Sequence, residues 1–320
     1  MSAIILAGHR GYKALYPENT ICAFQAAVDA GCDVIELDLH TSIDGFVVVT
    51  HDVSTHRVFG SEFQISKTKY VGVLDQLRTI AKPRSPMPLL EEVLDWCVKV
   101  NEEVKHTGRE IKLMLDIKSD NDPTVLMKKL WNECQKSRLK SGDSTEMIHY
   151  WKNKLILGLW DSKFYDPTLS KNFTIVNITF DILKAQNFYR EIKEKDKDAT
   201  LHAISMINLI LYKSQDKEEM LRWAKEENVK LWFWTVNENA DLQNIISTCS
   251  LPTGNSLLEG IVTDDPIKVL DQNAMVKTPR WKYNLKWWLK SKIYSIFLFL
   301  SRGGYNLSLF VNCLKRIGFI

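Results

Sequence analysis

The chain has 320 residues, 45% hydrophobic and 25% charged, with a formal net charge of +3. These proportions belong to a folded globular protein and exclude a disordered or collagen-like one, while the length admits one large barrel or two ordinary domains. The charge is unevenly spread: residues 272–320 hold nine of the 42 basic residues and none of the 39 acids, so this tail is +9 and residues 1–271 are −6.

In chain order, apolar runs of strand length are predicted at Ile4–Ala7, Val34–Leu39, Phe46–Thr50, Ile111–Ile117, Leu155–Trp160, Thr174–Ile178, His202–Met206, Lys230–Val236 and Gly260–Val262. Helical patterns fall between most of them, at Thr20–Ala30, Leu89–Val100, Pro123–Lys136, Lys217–Glu227, Ala240–Thr248 and Pro266–Asn273. Asn19 or Thr20 caps the first helix, and Asp122 precedes Pro123 at the first helical position of the third. Ser42-Ile43-Asp44-Gly45 joins two strands, with Asp-Gly as the turn signal. Strands alternating with helices over about 270 residues predict a single (β/α)8 TIM barrel spanning residues 1–271. Residues 272–320 are predicted to form a basic, apolar, membrane-associating tail.

The polar residues cluster where three early strands end: Gly8-His9-Arg10-Gly11, then Glu36-Leu37-Asp38, then His51-Asp52, with Pro17-Glu18-Asn19-Thr20 between the first two. The C-terminal ends of barrel strands are where this fold places its chemistry. Residues i and i+2 of a strand share a face, so Glu36 and Asp38 project together, and Asp116 and Lys118 repeat that arrangement. Three carboxylates with no cysteine nearby suit one hard divalent cation, Mg2+ or Ca2+. His9 and His51 are candidates for general acid and base, and Arg10 and Lys118 for holding an anionic substrate. Taken singly, each has a bland reading: a structural histidine, a turn and helix cap at Pro17–Thr20, or an ion network of Glu36 and Asp38 with Arg10 and Lys118. Taken together they read as a site for phosphoryl chemistry.

These motifs, with Asp44-Gly45, Asp116-Ile117-Lys118, Trp234-Thr235-Val236-Asn237 and Thr263-Asp264-Asp265-Pro266, resemble the glycerophosphodiester phosphodiesterases. Within that family the chain most resembles the fungal phosphatidylglycerol phospholipases C, through Met114–Lys118, Gly158-Leu159-Trp160, Leu231–Trp234 and Asp264–Lys268. The resemblance implies a metal-dependent phosphodiesterase with His9 and His51 as the acid/base pair. It implies Glu36, Asp38 and Asp116 as metal ligands, and Arg10 and Lys118 as phosphate-binding residues. Most of the family has glutamate where Asp116 stands, and the shorter side chain sits about one bond further from the ion. Glu18 resembles a residue close to the site and is given no role. Trp160, Trp232 and Trp234 are candidates for the head-group pocket, Trp160 and Trp234 foremost, although core packing accounts for any one of them equally well. The implied substrate is phosphatidylglycerol, cleaved to diacylglycerol and glycerol phosphate through a cyclic intermediate. Alternatives are a glycerophosphodiesterase or lysophospholipase D, and a catalytically silent membrane-tethered lipid-binding protein.

The tail favours a lipid. Ile293–Ser301 and Gly303–Leu314 are uncharged runs separated by Arg302; a spanning helix needs ~20 apolar residues, and a buried arginine costs ~2.5–3.5 kcal/mol. Insertion from one side is therefore expected, with residues 281–320, including Trp287 and Trp288, against an anionic membrane surface. The alternative is that the tail folds against the barrel as a helical cover. Nucleic acid is not an expected partner, because the positive charge sits on an apolar tail. Six cysteines, Cys22, Cys32, Cys97, Cys134, Cys249 and Cys313, form no C-x-x-C pair and read as free thiols of a reducing compartment. Ile4–Ala7 is too short for a signal core, so the expected location is the cytosolic face of the endoplasmic reticulum, a lipid droplet or the outer mitochondrial membrane.

Overall fold

A computed structural model of the protein describes residues 4–136, 144–251, 255–271 and 280–302. The Gly303–Leu314 run and Cys313 lie outside the described residues. All nine predicted strands form, with ends displaced by one or two residues: β1 Ile5–His9, β2 Val34–Thr41, β3 Val47–Val49, β4 Lys112–Ile117, β5 Leu155–Leu159, β6 Thr174–Thr179, β7 Ala203–Ile207, β8 Lys230–Trp234 and β9 Leu258–Thr263. The helices are α1 Ile21–Asp29, α2 His56–Phe59, α3 Leu90–Val104, α4 Pro123–Lys136, α5 Ser144–Lys154, α6 Ile182–Lys195, α7 Ser214–Glu226, α8 Asn239–Cys249, α9 Pro266–Leu270 and α10 Arg280–Arg302. Four of these, α2, α5, α6 and α10, were not among the six predicted helices, the last corresponding to the alternative reading of the tail as a helical cover.

Eight strands are parallel and close on themselves, with β1 bonded to both β2 and β9. The ninth, β3, folds back antiparallel on β2. Its turn is the one Asp44-Gly45 encodes: Gly45 has φ 81° and its N–H donates to the Ser42 carbonyl at 2.9 Å. Thr20 caps α1, accepting from the Ala23 N–H, and Asp122 accepts from Val125 N–H at the start of α4.

One residue from each parallel strand fills the barrel interior: Ala7, Val34, Met114, Ile156, Val176, Ala203, Trp232 and Val262. Trp232 is 1% exposed and belongs to this packed layer, so it does not line a head-group pocket. Its ring lies across Gly260, where an added Cβ would sit 2.7 Å from Cε3. Gly260→Ala is therefore expected to destabilise the fold by ~1–3 kcal/mol, read as a lower denaturant midpoint with unchanged slope.

The expected thiols are seen. Among the described residues Cys22, Cys32, Cys97, Cys134 and Cys249 form no disulfide, and all but the partly buried Cys22 are buried. In the tail, Lys290, Tyr294 and Leu298, at successive turns of α10, are buried against the barrel. Lys290 Nζ lies 2.7 Å from Asp241 Oδ2, and the Tyr294 hydroxyl donates to the Phe180 carbonyl at 3.1 Å. Phe180 follows β6 and Asp241 lies in the first turn of α8, after β8. The described part of the tail thus covers the C-terminal rim of the barrel. Its opposite face exposes Leu285, Trp288, Leu289, Ile296 and Phe299. Among the described residues no helix is long and apolar enough to cross a membrane.

Candidate active site

Strand register assembles the site. His9 on β1 stands beside Glu36 on β2, and Asp38 beside Asp116 on β4. Immediately after β1 the chain turns through Arg10 and Gly11 at positive φ; a Cβ on Gly11 would lie 2.6 Å from the Ala23 carbonyl carbon, so only glycine fits. The turn brings the Arg10 N–H onto Glu36 Oε2 at 2.8 Å.

Glu36, Asp38 and Asp116 are buried, with one oxygen from each lying within 4.8 Å of the others. Burial, together with the Asp38 and Asp116 charges, raises the Glu36 carboxyl well above its ordinary range. Three buried carboxylates repelling one another, with oxygen donors alone, fit a hard divalent cation. Arg10 and Lys118 partly compensate them: Arg10 Nε is 3.2 Å from Asp38 Oδ2, and Lys118 Nζ is 2.6 Å from Asp38 Oδ1. The ion network and the metal set are thus the same residues. Burial opposes the charge on both cations, but the surrounding carboxylates outweigh it and hold both firmly protonated.

The imidazoles flank this cluster. His9 Nδ1 is 2.6 Å from Asp264 Oδ1, and His51 Nδ1 is 2.7 Å from Asp52 Oδ1. With Nδ1–H donated to a carboxylate, each neutral ring keeps Nε2 as a base; Nε2 of His9 lies 4.0 Å from Glu36. Burial, reinforced by Arg10, lowers His9 to about 4, and burial with Arg10 and Lys118 lowers His51 to about 3. Both rings are therefore neutral near pH 7.

The supports were not assigned from sequence. Asp264 also accepts from Asn237 Nδ2 at 2.9 Å, and Lys13 Nζ lies 3.3 Å away. Arg57 donates through Nε to Asp52 at 2.6 Å and through both terminal nitrogens to Glu18 at 2.7 Å each. Glu18 in turn accepts from Arg10 at 2.9 Å. Asn19, one of the two candidate caps, instead donates to Asp38 Oδ2 at 2.7 Å. Asp264 and Asn237 lie in quoted motifs, so the signal was present, but nothing in the spacing pairs residues 255 positions apart. Trp160 and Trp234 meet edge to face, with ring centres 5.8 Å apart. The Trp234 indole N–H donates to the Ser205 carbonyl at 2.9 Å. Beside Asp264, a cleft of about 250 Å3 is lined by Lys13, Ala14, Asn237, Asp265 and Lys268.

A closed parallel barrel whose mouth holds two acid-supported imidazoles around a buried carboxylate triad defines a phosphoric diester hydrolase. The chain belongs to the glycerophosphoryl diester phosphodiesterase family, whose model matches residues 9–268. The family depends on a divalent metal, and Glu36, Asp38 and Asp116 are the residues here that would hold one. A glycerophosphodiester phosphodiesterase of Caldanaerobacter subterraneus is 26% identical over 83% of this chain and 96% of its own length. Mouse lysophospholipase D GDPD1 is 35% identical over 45% of this chain and 43% of its own, and an uncharacterised Bacillus subtilis protein, YqiK, is 35% identical over 35% and 52%. The chain thus matches about half the length of these last two relatives. Among solved structures, a putative glycerophosphoryl diester phosphodiesterase from Silicibacter pomeroyi superposes with a TM-score of 0.62 at 19% identity, covering 86% of this chain and 94% of that one. A phosphodiesterase of Oleispira antarctica in complex with the product sn-glycerol-3-phosphate superposes with a TM-score of 0.61 at 16% identity, covering 85% and 97%. These two likenesses establish the fold.

Proposed function

We propose that the chain is a phospholipase C that hydrolyses phosphatidylglycerol to diacylglycerol and glycerol 3-phosphate, using Mg2+ or Ca2+. The observation that carries the reading is the pair of imidazoles on either side of the triad, each fixed through Nδ1 by an acid. One imidazole takes the proton of the head-group hydroxyl next to the ester, and that oxygen attacks phosphorus. The other, protonated when the negative diester binds, gives its Nε2 proton to the departing diacylglycerol oxygen as the P–O bond breaks, leaving a cyclic glycerol phosphate. Water then opens the ring with the two roles exchanged. The negative diester raises the proton affinity of the donor imidazole, which Arg10 and Lys118 otherwise depress. The cation, held by Glu36, Asp38 and Asp116, supplies charge for the phosphoryl oxygens. The attacking hydroxyl is part of the substrate, so positioning it near phosphorus supplies a large share of the rate.

The lipid side of the reading rests on the tail. The outward face of α10 carries Trp288 and Phe299 at 57% and 68% exposure, with Lys292 exposed on the same side. Such a face suits an anionic leaflet, at the cytosolic surface of the endoplasmic reticulum, a lipid droplet or the outer mitochondrial membrane. The names of the mouse and Caldanaerobacter relatives favour a second reading, in which the substrate is a lysolipid or a soluble glycerophosphodiester. A silent lipid-binding barrel is disfavoured, because acid, base and carboxylate triad are all assembled.

Mixed anionic and zwitterionic liposomes, incubated with the purified protein and Mg2+ or Ca2+, separate these readings by mass spectrometry of the products. Diacylglycerol from phosphatidylglycerol alone, abolished by EDTA, is expected. Lysophosphatidic acid from added lysolipids, with phosphatidylglycerol untouched, would select the second reading, and no turnover of either would leave the binding protein.

A further inference from the structure

Asp116 is shorter by one methylene than a glutamate would be, and its orientation is fixed from outside. Its β5 neighbour in register is Gly158, which offers no side chain. Two residues on, and on the same face of that strand, Trp160 fills the place: its indole Nε1–H donates to Asp116 Oδ1 at 2.7 Å. Lys118 Nζ holds the other oxygen, Oδ2. Trp160 is itself set in position by Trp234, and by Phe180 at a ring separation of 6.3 Å, with Lys118 Nζ 5.8 Å from its ring centre. Its single donor is therefore directed at a carboxylate oxygen rather than left for a head group.

We propose that Trp160 is a positioning residue for the cation, holding Asp116 at the rotation in which its remaining lone pairs face Glu36 and Asp38. A carboxylate has about four acceptor positions. One donor on each oxygen removes rotational freedom about the Cβ–Cγ bond and leaves acceptors for an ion. A charged hydrogen bond of this kind is short and strong, and partners of metal ligands contribute roughly 10–100-fold in metal affinity. The indole thus offsets the short reach of the aspartate. The inference rests on the reading of Glu36, Asp38 and Asp116 as ligands, and goes beyond it by giving Trp160 a role other than lining the pocket.

The test is calorimetric titration of the full chain with Mn2+, in the absence of substrate. Two variants are used: Trp160→Phe, which keeps a ring and loses the N–H, and replacement of Trp160 by benzothienylalanine, which keeps the indole shape and loses only the donor. Both are expected to weaken Mn2+ binding by roughly 10–100-fold, with melting in EDTA unchanged for the benzothienyl protein and kcat restored at saturating Mn2+. Unchanged Mn2+ affinity with a raised KM for lipid would overturn the inference and make Trp160 a wall of the head-group pocket. Failure of the unaltered protein to bind Mn2+ at all would overturn the ligand set itself, and the inference with it.

Discussion

His9→Ala and His51→Ala are each expected to lower kcat by roughly 100- to 10,000-fold, the range of a single general acid–base contribution, with KM and melting temperature little changed. Each ring is half-buried at the mouth, and each is required in both halves of the reaction, once as acid and once as base. Losing either blocks both halves, so the double variant should be scarcely worse than the single ones. Asp264→Asn should fall between: the amide still meets Nδ1, but the charge that steadies the imidazolium is lost. Asp264 is held well below the carboxylate range, since His9 and Lys13 outweigh its burial, so its charge is present throughout the assay range. Steady-state assays of the three variants would decide the matter. If His51→Ala retained more than about a tenth of kcat, His51 would have no place in the acid–base pair.

The second large effect is expected at the triad, where stability and turnover should part. Asp38→Asn and Glu36→Gln should each lower metal affinity by more than the roughly 100-fold assigned to outer partners, and turnover with it. Their effects on the fold should differ in sign. Glu36 is a buried acid that burial and its two acidic neighbours disfavour as an anion, and glutamine can still accept from the Arg10 N–H. Glu36→Gln should therefore melt at or above the unaltered protein in EDTA. Asp38 is the opposite case. Burial opposes its charge, but Lys118 and Arg10 outweigh that penalty and hold it well below the carboxylate range. Asp38→Asn removes the carboxylate that Arg10 and Lys118 share, leaving each with one acid, Glu18 and Asp116, and should lower the melting temperature at a cost of up to ~3–5 kcal/mol. Equal melting shifts for the two variants would overturn this account.

The barrel was legible because parallel strands covered on both faces are plain apolar runs, and each of the nine stands out against polar connections. Helix α6 was missed although Ile182, Ala185, Phe188 and Ile192 recur on one face and Asp181 caps it. The ligand set was legible from i, i+2 spacing and strand ends. What spacing cannot give is lateral register across the sheet, so the contacts of Asp264 with His9, Arg57 with Asp52 and Trp160 with Asp116 emerge only from the fold. Lys290 shows the same limit. In an acid-free basic stretch it reads as one more surface cation, yet it is buried on Asp241, 49 residues away in the chain.

The salt links around the mouth form a single continuous series: Asp38 to Arg10, Arg10 to Glu18, Glu18 to Arg57, Arg57 to Asp52, and Asp52 to His51. Substitutions along a series like this are not independent events. Once Glu18 is neutralised, Arg57 has lost its bidentate partner and Arg10 one of its anchors, so a further change at Arg57 removes little that is still intact. A sequence that drifts here has to change two or three members at once, because the intermediates carry an unbalanced charge beside the buried Arg10, Glu18 and Asp38. The lineage of such an enzyme should therefore vary these positions in sets, even though only one of the five links touches an imidazole.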